Sequence, residues 1–68
     1  MRYAVVIEKA ERNYSAYVPD LTGCIATGAT VAEVEVALRE AIAMHIAPLE
    51  EDGLPVPAPT SLAEYADA

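Results

Sequence analysis

The fold is decided by residues 14–28, which read YSAYVPDLTGCIATG. In residues 14–18 the side chains alternate, which predicts a strand with Tyr14, Ala16 and Val18 on one face. Pro19 ends this strand, because it has no N–H group to donate to a neighbouring strand. Residues 19–24 then form a shaped connector, and residues 25–27 are long enough for another short strand.

A further strand precedes this stretch. Residues 3–9 place Tyr3, Val5 and Ile7 on one face, and the opposite face is also apolar near its middle. The polar residues 10–13 form a turn, in which Asn13 tolerates the left-handed conformation. Two strands joined by so short a loop predict an antiparallel hairpin. Because both of its faces are apolar, the first strand suits a position covered on both sides or one that meets another subunit.

A helix is predicted after Gly28. Thr30 and Glu33 form a capping box, in which each side chain accepts a hydrogen bond from an N–H group that the helix start leaves unpaired. Pro48 removes a helical hydrogen bond, so we expect a kink or an early end near Ala47, and a last turn over residues 50–53 capped by Gly53. One apolar stripe recurs at spacings of three and four. It consists of Val34, Leu38, Ala41, Ile42, His45 and Leu49.

The C-terminal part is predicted to be an arm. Residues 54–59 read LPVPAP, which favours an extended, polyproline-like segment. Ser61 is placed to cap a short helical turn over residues 61–65. The expected fold is therefore α+β and two-layered: a three-stranded antiparallel sheet in β-β-β-α order, one main helix packed on it, and an extended proline-rich arm. We expect a single domain over residues 1–68, with its core in about 2–53 and the arm and tail in 54–68.

Size limits the stability of such a domain. A chain of 68 residues hides only about 60% of the surface that its unfolded form exposes. It has no Trp and no Phe, and its one cysteine excludes an internal disulfide. We therefore predict that copies associate into a dimer or a tetramer.

Charge and hydropathy exclude several classes of function. Eleven acidic residues against four basic ones give a formal charge of −7. Unaided binding of nucleic acid needs many Lys and Arg residues, so we do not expect this chain to bind DNA or RNA directly. An acidic surface instead attracts basic partners. No apolar run approaches the roughly 20 residues of a membrane-spanning helix, and no signal-peptide core is visible. A lone thiol favours a cytoplasmic location.

We predict no catalytic residue, no metal ion and no cofactor. Two-metal hydrolysis needs several convergent carboxylates, whereas Asp20 is expected to bond the backbone two residues on and Glu8 ends a strand. Cys24 and His45 act as nucleophile and base only if the fold brings them together. A buried cysteine is more often a small hydrophobic residue, and His45 lies on the apolar stripe of the helix.

The candidate residues for binding a partner fall into two groups. The connector is either a rigid link, since turn chemistry explains its residues, or a contact surface on a rigid scaffold. Tyr17 precedes it on the opposite face of its strand, where an amphipathic ring suits an interface. The acidic cluster after the helix is either solvated surface or a patch that steers a basic partner. The candidates are Tyr17, Pro19, Asp20, Gly23, Glu50, Glu51 and Asp52.

The order of these landmarks resembles a known family. YVPDLTGC at residues 17–24 and TGAT at 27–30 precede the helix, and EDGLPVPAP follows at 51–59. This series is similar to the HicB antitoxins, whose small domain has a Y-x-A-x-V-P-D-L-P-G-C-x-T-x-G-x-T core and an E-D-G-x-x-I-P-x-P tail. The resemblance runs from Tyr3 to about Ser61.

The resemblance implies a reduced ribonuclease-H-like fold and a protein partner. HicB members bind a small basic ribonuclease toxin, HicA, and block its RNA-cutting surface. Many also carry a C-terminal segment that binds operator DNA, and because residues 1–68 contain none, we do not expect operator binding.

The leading hypothesis is a non-enzymatic, antitoxin-like protein that neutralises a small basic ribonuclease by occluding its RNA-cutting surface. The alternative is a stand-alone oligomeric module that has lost its toxin and binds a small molecule or acts in regulation. A third hypothesis, a residual hydrolase, requires metal-dependent activity that Asp20→Ala abolishes.

Overall fold

The computed structural model describes residues 1–68. Three strands form one antiparallel sheet in the order β1-β2-β3, and a single helix packs mainly on β3 and β2. The predicted α+β fold, with three strands followed by one helix on the sheet, is confirmed. The elements are β1 Val6–Lys9, β2 Tyr14–Tyr17, β3 Ile25–Gly28 and α1 Val31–Glu51.

The hairpin between β1 and β2 forms as predicted, with shorter strands. Lys9 pairs with Tyr14, and the Ala10 N–H donates to the Asn13 carbonyl oxygen at 2.8 Å. Pairing starts at Val6, because the residues opposite the preceding segment belong to the loop after β2. Asn13 is not left-handed, since only Gly23 and Gly53 have positive φ angles.

The core is small and lies between the sheet and α1. The predicted inward face of β2 is confirmed, and Tyr3, Val5 and Ile7 pack against the core from the β1 side. Leu21, in the connector, was missed because turn residues surround it. Six side chains are 3% exposed or less: Ala16, Val18, Leu21, Cys24, Val34 and Leu38.

The capping box at the start of α1 is confirmed with one difference. The Glu33 N–H donates to Thr30 Oγ1 at 3.1 Å, as predicted. The Glu33 carboxylate accepts from the Ala29 N–H at 3.1 Å rather than from that of Thr30. Ala29 stands one residue before the cap, and its N–H is another donor that the helix itself does not use.

Gly28 sets the close approach of β3 and α1. A Cβ atom at this position would lie 2.7 Å from the backbone nitrogen of Val34 and 3.1 Å from two carbon atoms of Glu33. Any side chain here would push the start of the helix away from the end of the strand. Gly28 therefore allows α1 to fold straight back over the sheet.

Of the expected kink or early end near Ala47, the early end is wrong, because the helix continues past Pro48 to Glu51. Pro48 has no N–H group to donate to the carbonyl oxygen of Met44, four residues earlier. Because Met44 is 76% exposed, water can donate a hydrogen bond to this carbonyl instead. The predicted cap at Gly53 is confirmed, with a φ of +67°. The Gly53 N–H donates to the Glu50 carbonyl and the Leu54 N–H to the Leu49 carbonyl, which together form a Schellman cap.

The apolar stripe of α1 is confirmed, since Val34 and Leu38 are buried and its other members are half-buried. Ile46 also packs against the core, although the predicted stripe did not include it. No helical turn forms over residues 61–65, because Ser61 bonds Asp20 instead. No helix has the length and apolar character that crossing a membrane requires.

The core makes a direct prediction for stability. Leu38→Ala should lower the free energy of unfolding by about 2–5 kcal/mol, because it leaves a cavity between α1 and the sheet. Met44→Ala removes a side chain of similar size that is 76% exposed, and should change stability by less than about 0.5 kcal/mol. Urea denaturation followed by circular dichroism measures both. Equal effects of the two variants would contradict this description of the core.

Candidate functional site

Residues 18–24, the connector between β2 and β3, form a closed loop. The Val18 N–H donates to the Cys24 carbonyl, the Leu21 N–H to the Val18 carbonyl and the Cys24 N–H to the Leu21 carbonyl, each at 3.1 Å. Leu21 is 1% exposed and anchors the loop in the core. Gly23 has a φ of +81°, a conformation that residues with a side chain avoid. These bonds and the buried Leu21 hold the loop in one shape, and its outer side, including Pro19 and Gly23, faces away from the core.

Asp20 in this loop binds the C-terminal arm. Its Oδ2 accepts the backbone N–H groups of Thr60 at 3.1 Å and Ser61 at 3.0 Å. Its Oδ1 accepts the hydroxyl groups of the same two residues, each at 2.9 Å. The expected bond from Asp20 to the backbone two residues on is therefore wrong, because the arm supplies four donors to the carboxylate.

These hydrogen bonds stabilise the charged form of Asp20. The bond from the Ser61 N–H is the largest cause that holds the pKa of this carboxyl below its ordinary value. Desolvation opposes the shift, and the remaining bonds from Thr60 and Ser61 add to it. The bound arm therefore makes Asp20 harder to protonate.

A second contact fastens the arm to the start of the chain. The Tyr3 hydroxyl donates to the carbonyl oxygen of Pro57 at 2.6 Å. Of the residues from Leu54 onward, only Val56 is half-buried. The predicted proline-rich arm thus exists, and polar bonds at Tyr3 and Asp20 hold it in place.

Tyr17 belongs to an apolar row on the face of the sheet that α1 leaves open. Val6 pairs with Tyr17 and Tyr17 pairs with Ile25, so the three side chains lie side by side across the strands. Tyr17 is 41% exposed and Ile25 68%. Ile25 was missed as a candidate, although the alternation that points Tyr17 outward also predicts this row once the register is known.

The structure does not place all the sequence-predicted candidates on one element. Tyr17, Pro19, Asp20 and Gly23 lie together at the end of β2 and in its loop. The acidic cluster, residues 50–52, lies at the far end of α1 and is exposed. Residues 54–59 of the arm separate that cluster from Thr60 and Ser61, the two residues that bond Asp20.

Cys24 behaves as a core residue. It is 3% exposed, and burial raises the pKa of its thiol, which keeps it protonated and unreactive. His45 is half-buried on the helix stripe. No group of three His, Cys, Asp or Glu side chains is placed to hold a metal ion.

Comparison with known proteins identifies the family. Residues 3–68 match the family described as "HicB_like antitoxin of bacterial toxin-antitoxin system". The chain belongs to the HicB-like antitoxin family. This is a family of binding proteins of toxin–antitoxin systems and not of enzymes, and the resemblance predicted from the sequence is confirmed.

A solved structure supports the same assignment. This chain is similar to a chain of the solved structure "HicA3 and HicB3 toxin-antitoxin complex", with a TM-score of 0.70 and 36% sequence identity. The match covers 87% of this chain and 69% of that one. The matched structure is a complex of an antitoxin with its toxin.

Two curated relatives differ in length. A 14.9 kDa protein in the rep-hol intergenic region of Haemophilus phage HP1 is 35% identical over 65 residues, 96% of this chain and 49% of the relative. A UPF0150 protein of Helicobacter pylori is 43% identical over 49 residues, 72% of this chain and 68% of the relative. The HicB-like chain thus spans about half the length of its phage relative.

The lowered pKa of Asp20 predicts an acid-dependent release of the arm. A carboxyl whose pKa is lower in the folded state adds stability that is present above its unfolded pKa and is lost as the pH falls through the folded one. The amide proton signals of Thr60 and Ser61 in NMR spectra should therefore shift below the pH at which ordinary Asp residues titrate.

Asp20→Asn serves as the control, because an amide keeps the shape of the carboxyl but does not titrate. In this variant the acid transition of the Thr60 and Ser61 signals should vanish. A transition that persists in Asp20→Asn would contradict the assignment to Asp20.

Proposed function

We propose that this HicB-like chain neutralises a small basic ribonuclease of the HicA type by binding over its RNA-cutting surface. The observation that carries the proposal is family membership over residues 3–68, together with the likeness to a structure that contains both toxin and antitoxin. Inhibition by coverage needs no catalytic residue on the antitoxin. It needs a surface that the toxin recognises and a charge that attracts it.

The apolar row Val6–Tyr17–Ile25 supports a lasting contact. A few residues supply most of the binding energy in many protein interfaces, and Tyr is enriched among them. The row lies on the open face of the sheet, next to the exposed side of the loop with Pro19 and Gly23. We propose this face as the centre of the toxin contact.

Charge supports rapid encounter with a basic partner. The formal charge of −7 attracts a basic protein from a distance, and such steering mainly raises the association rate. Glu50, Glu51 and Asp52 are exposed, and no basic residue stands in the last turn of α1. We propose that this cluster guides the toxin rather than anchors it.

Asp20 has a different part in this proposal. Because its carboxylate already accepts four hydrogen bonds from the arm, a basic side chain of the toxin would have to displace them. We therefore propose that Asp20 acts as a positioning residue for the arm rather than as a direct contact to the toxin.

Association of copies into a dimer or a tetramer is also part of the proposal. The core holds only six buried side chains, and large apolar residues stay exposed on several surfaces. Burying part of that surface between copies would add hydrophobic stabilisation that the small core lacks.

The first test is capture of the partner. The tagged chain, incubated with extract of the cells that encode it, should retain a small basic ribonuclease at about 50 mM salt and less of it near 500 mM, where attraction between exposed charges is screened. After separation from the tagged chain, the retained protein should cleave RNA. Adding the chain back should inhibit that cleavage. An extract that yields no ribonuclease at either salt concentration would contradict the proposal.

The second test locates the contact. Tyr17→Ala should weaken binding to that ribonuclease by about 30-fold or more, the loss typical of truncating a central aromatic anchor. Met44→Ala removes an apolar side chain of α1 that is more exposed than Tyr17, 76% against 41%, and should leave the dissociation constant unchanged. Isothermal titration calorimetry measures both, and equal affinities for the two variants would refute the proposed face.

A further inference from the structure

A cleft of about 310 Å³ lies between the start of the chain and α1. Its apolar walls are Tyr3 and Val5 on one side and Leu38 and Ile42 of the helix on the other. Leu38 is buried, whereas the other three side chains are half-buried and still contact solvent. The fold therefore forms an apolar surface here and leaves it incompletely covered.

Both walls of this cleft are held in position by other contacts. The Tyr3 hydroxyl donates to the Pro57 carbonyl oxygen at 2.6 Å, so the ring cannot swing away without breaking this bond. The opposite wall belongs to α1, which its packing on the core fixes. Because the walls are in place before a ligand arrives, a ligand that enters the cleft has little to rearrange.

Two opposite charges border the cleft. Glu35 and Arg39 line it together with the apolar side chains. Residues four apart on a helix are neighbours, so the carboxylate and the guanidinium lie on the same face of α1. Both side chains are exposed, and neither forms an ion pair or a hydrogen bond within the chain. Arg39 is also the only Lys or Arg residue of α1.

This combination of charges favours one class of ligand. A molecule with only a carboxylate would be attracted by Arg39 and repelled by Glu35, and a molecule with only an ammonium group would meet the reverse. A ligand that carries both charges on one atom's neighbours, beside an apolar group, satisfies both side chains and the apolar walls. An α-amino acid with an apolar side chain has this form. The cleft is at the small end of the range for ligand sites, which suits a molecule of that size.

We propose that this cleft binds a free α-amino acid with an apolar side chain. The carboxylate of the ligand pairs with Arg39, its ammonium group pairs with Glu35, and its side chain packs on the four apolar residues. The site lies on the side of the sheet that carries α1, whereas the proposed toxin contact lies on the open face. The inference goes beyond the proposed function, and its test needs no toxin.

Titration of the isotope-labelled chain with L-leucine, followed by NMR, tests the proposal. The amide signals of residues 3–5 and 38–42 should shift with a dissociation constant on the order of 1 mM, as suits a small ligand in an open cleft. The signals of Tyr17 and Ile25, on the open face, should stay unchanged. Glycine has the same two charges without an apolar side chain and should cause no shift. The proposal is overturned if L-leucine leaves the cleft signals unchanged at about 20 mM, or if glycine shifts them equally.

Uncharged variants test the part of the two charges. Arg39→Gln and Glu35→Gln should each weaken the binding of L-leucine by about threefold, the loss typical of an exposed ion pair. Arg12→Gln and Glu40→Gln make the same chemical changes at exposed residues that do not line the cleft, and should leave the dissociation constant unchanged. Equal dissociation constants in all four variants would overturn the proposal.

Two analogues of leucine separate the charges from the ligand side. Isocaproate lacks the ammonium group and isopentylamine lacks the carboxylate, and each should bind the wild-type chain more weakly than L-leucine does. Isocaproate should bind Glu35→Gln more tightly than wild type, because the carboxylate that repels it is gone. If isocaproate binds the wild-type chain as tightly as L-leucine does, Glu35 does not recognise an ammonium group and the proposal is overturned.

Discussion

The structure depends on the burial of Leu21. A chain with no Phe and no Trp must build its core from few and small side chains, and this one contains only six that are fully buried. Leu21 comes from a loop and not from the sheet or the helix, and it belongs to the same buried cluster as Ala16 of β2 and Val34 of α1. Three backbone bonds close the loop around it, so its burial fixes both the turn from β2 to β3 and the direction in which the neighbouring Asp20 points.

Local features of the fold could be predicted because their causes lie close together in the chain. Alternation in residues 14–18 placed the inward face of β2, and the spacing from Val34 to Leu49 placed the inward face of α1. Thr30 and Glu33 marked the helix start, and Gly53 marked its cap. The prediction that the helix ends early, near Ala47, was wrong because Pro48 lies close to an exposed helix end. There it removes only one helical hydrogen bond, which water can replace.

The binding of the arm by Asp20 could not be predicted, because the partners are 40 and 41 residues apart. Asp in a turn and Ser before an apolar residue each have a common local use, and nearby residues alone favour those uses. Only the three-dimensional path of the arm brings the carboxylate and its four donors together. Only part of the apolar row Val6–Tyr17–Ile25 could be predicted. Alternation along the strand points Tyr17 outward, but which residues lie beside it depends on the strand register.

The contacts of the arm also bring residues near both ends of the range 1–68 to the same side of the molecule. Residues 2–4 and 61–63 face each other, so the path from the last residues back to the first does not cross the sheet or the helix. Proteins with neighbouring termini tolerate circular permutation, in which the ends are joined and the chain is opened elsewhere. The exposed turn at residues 10–13 would be the natural place for new ends, because it contributes no side chain to the core.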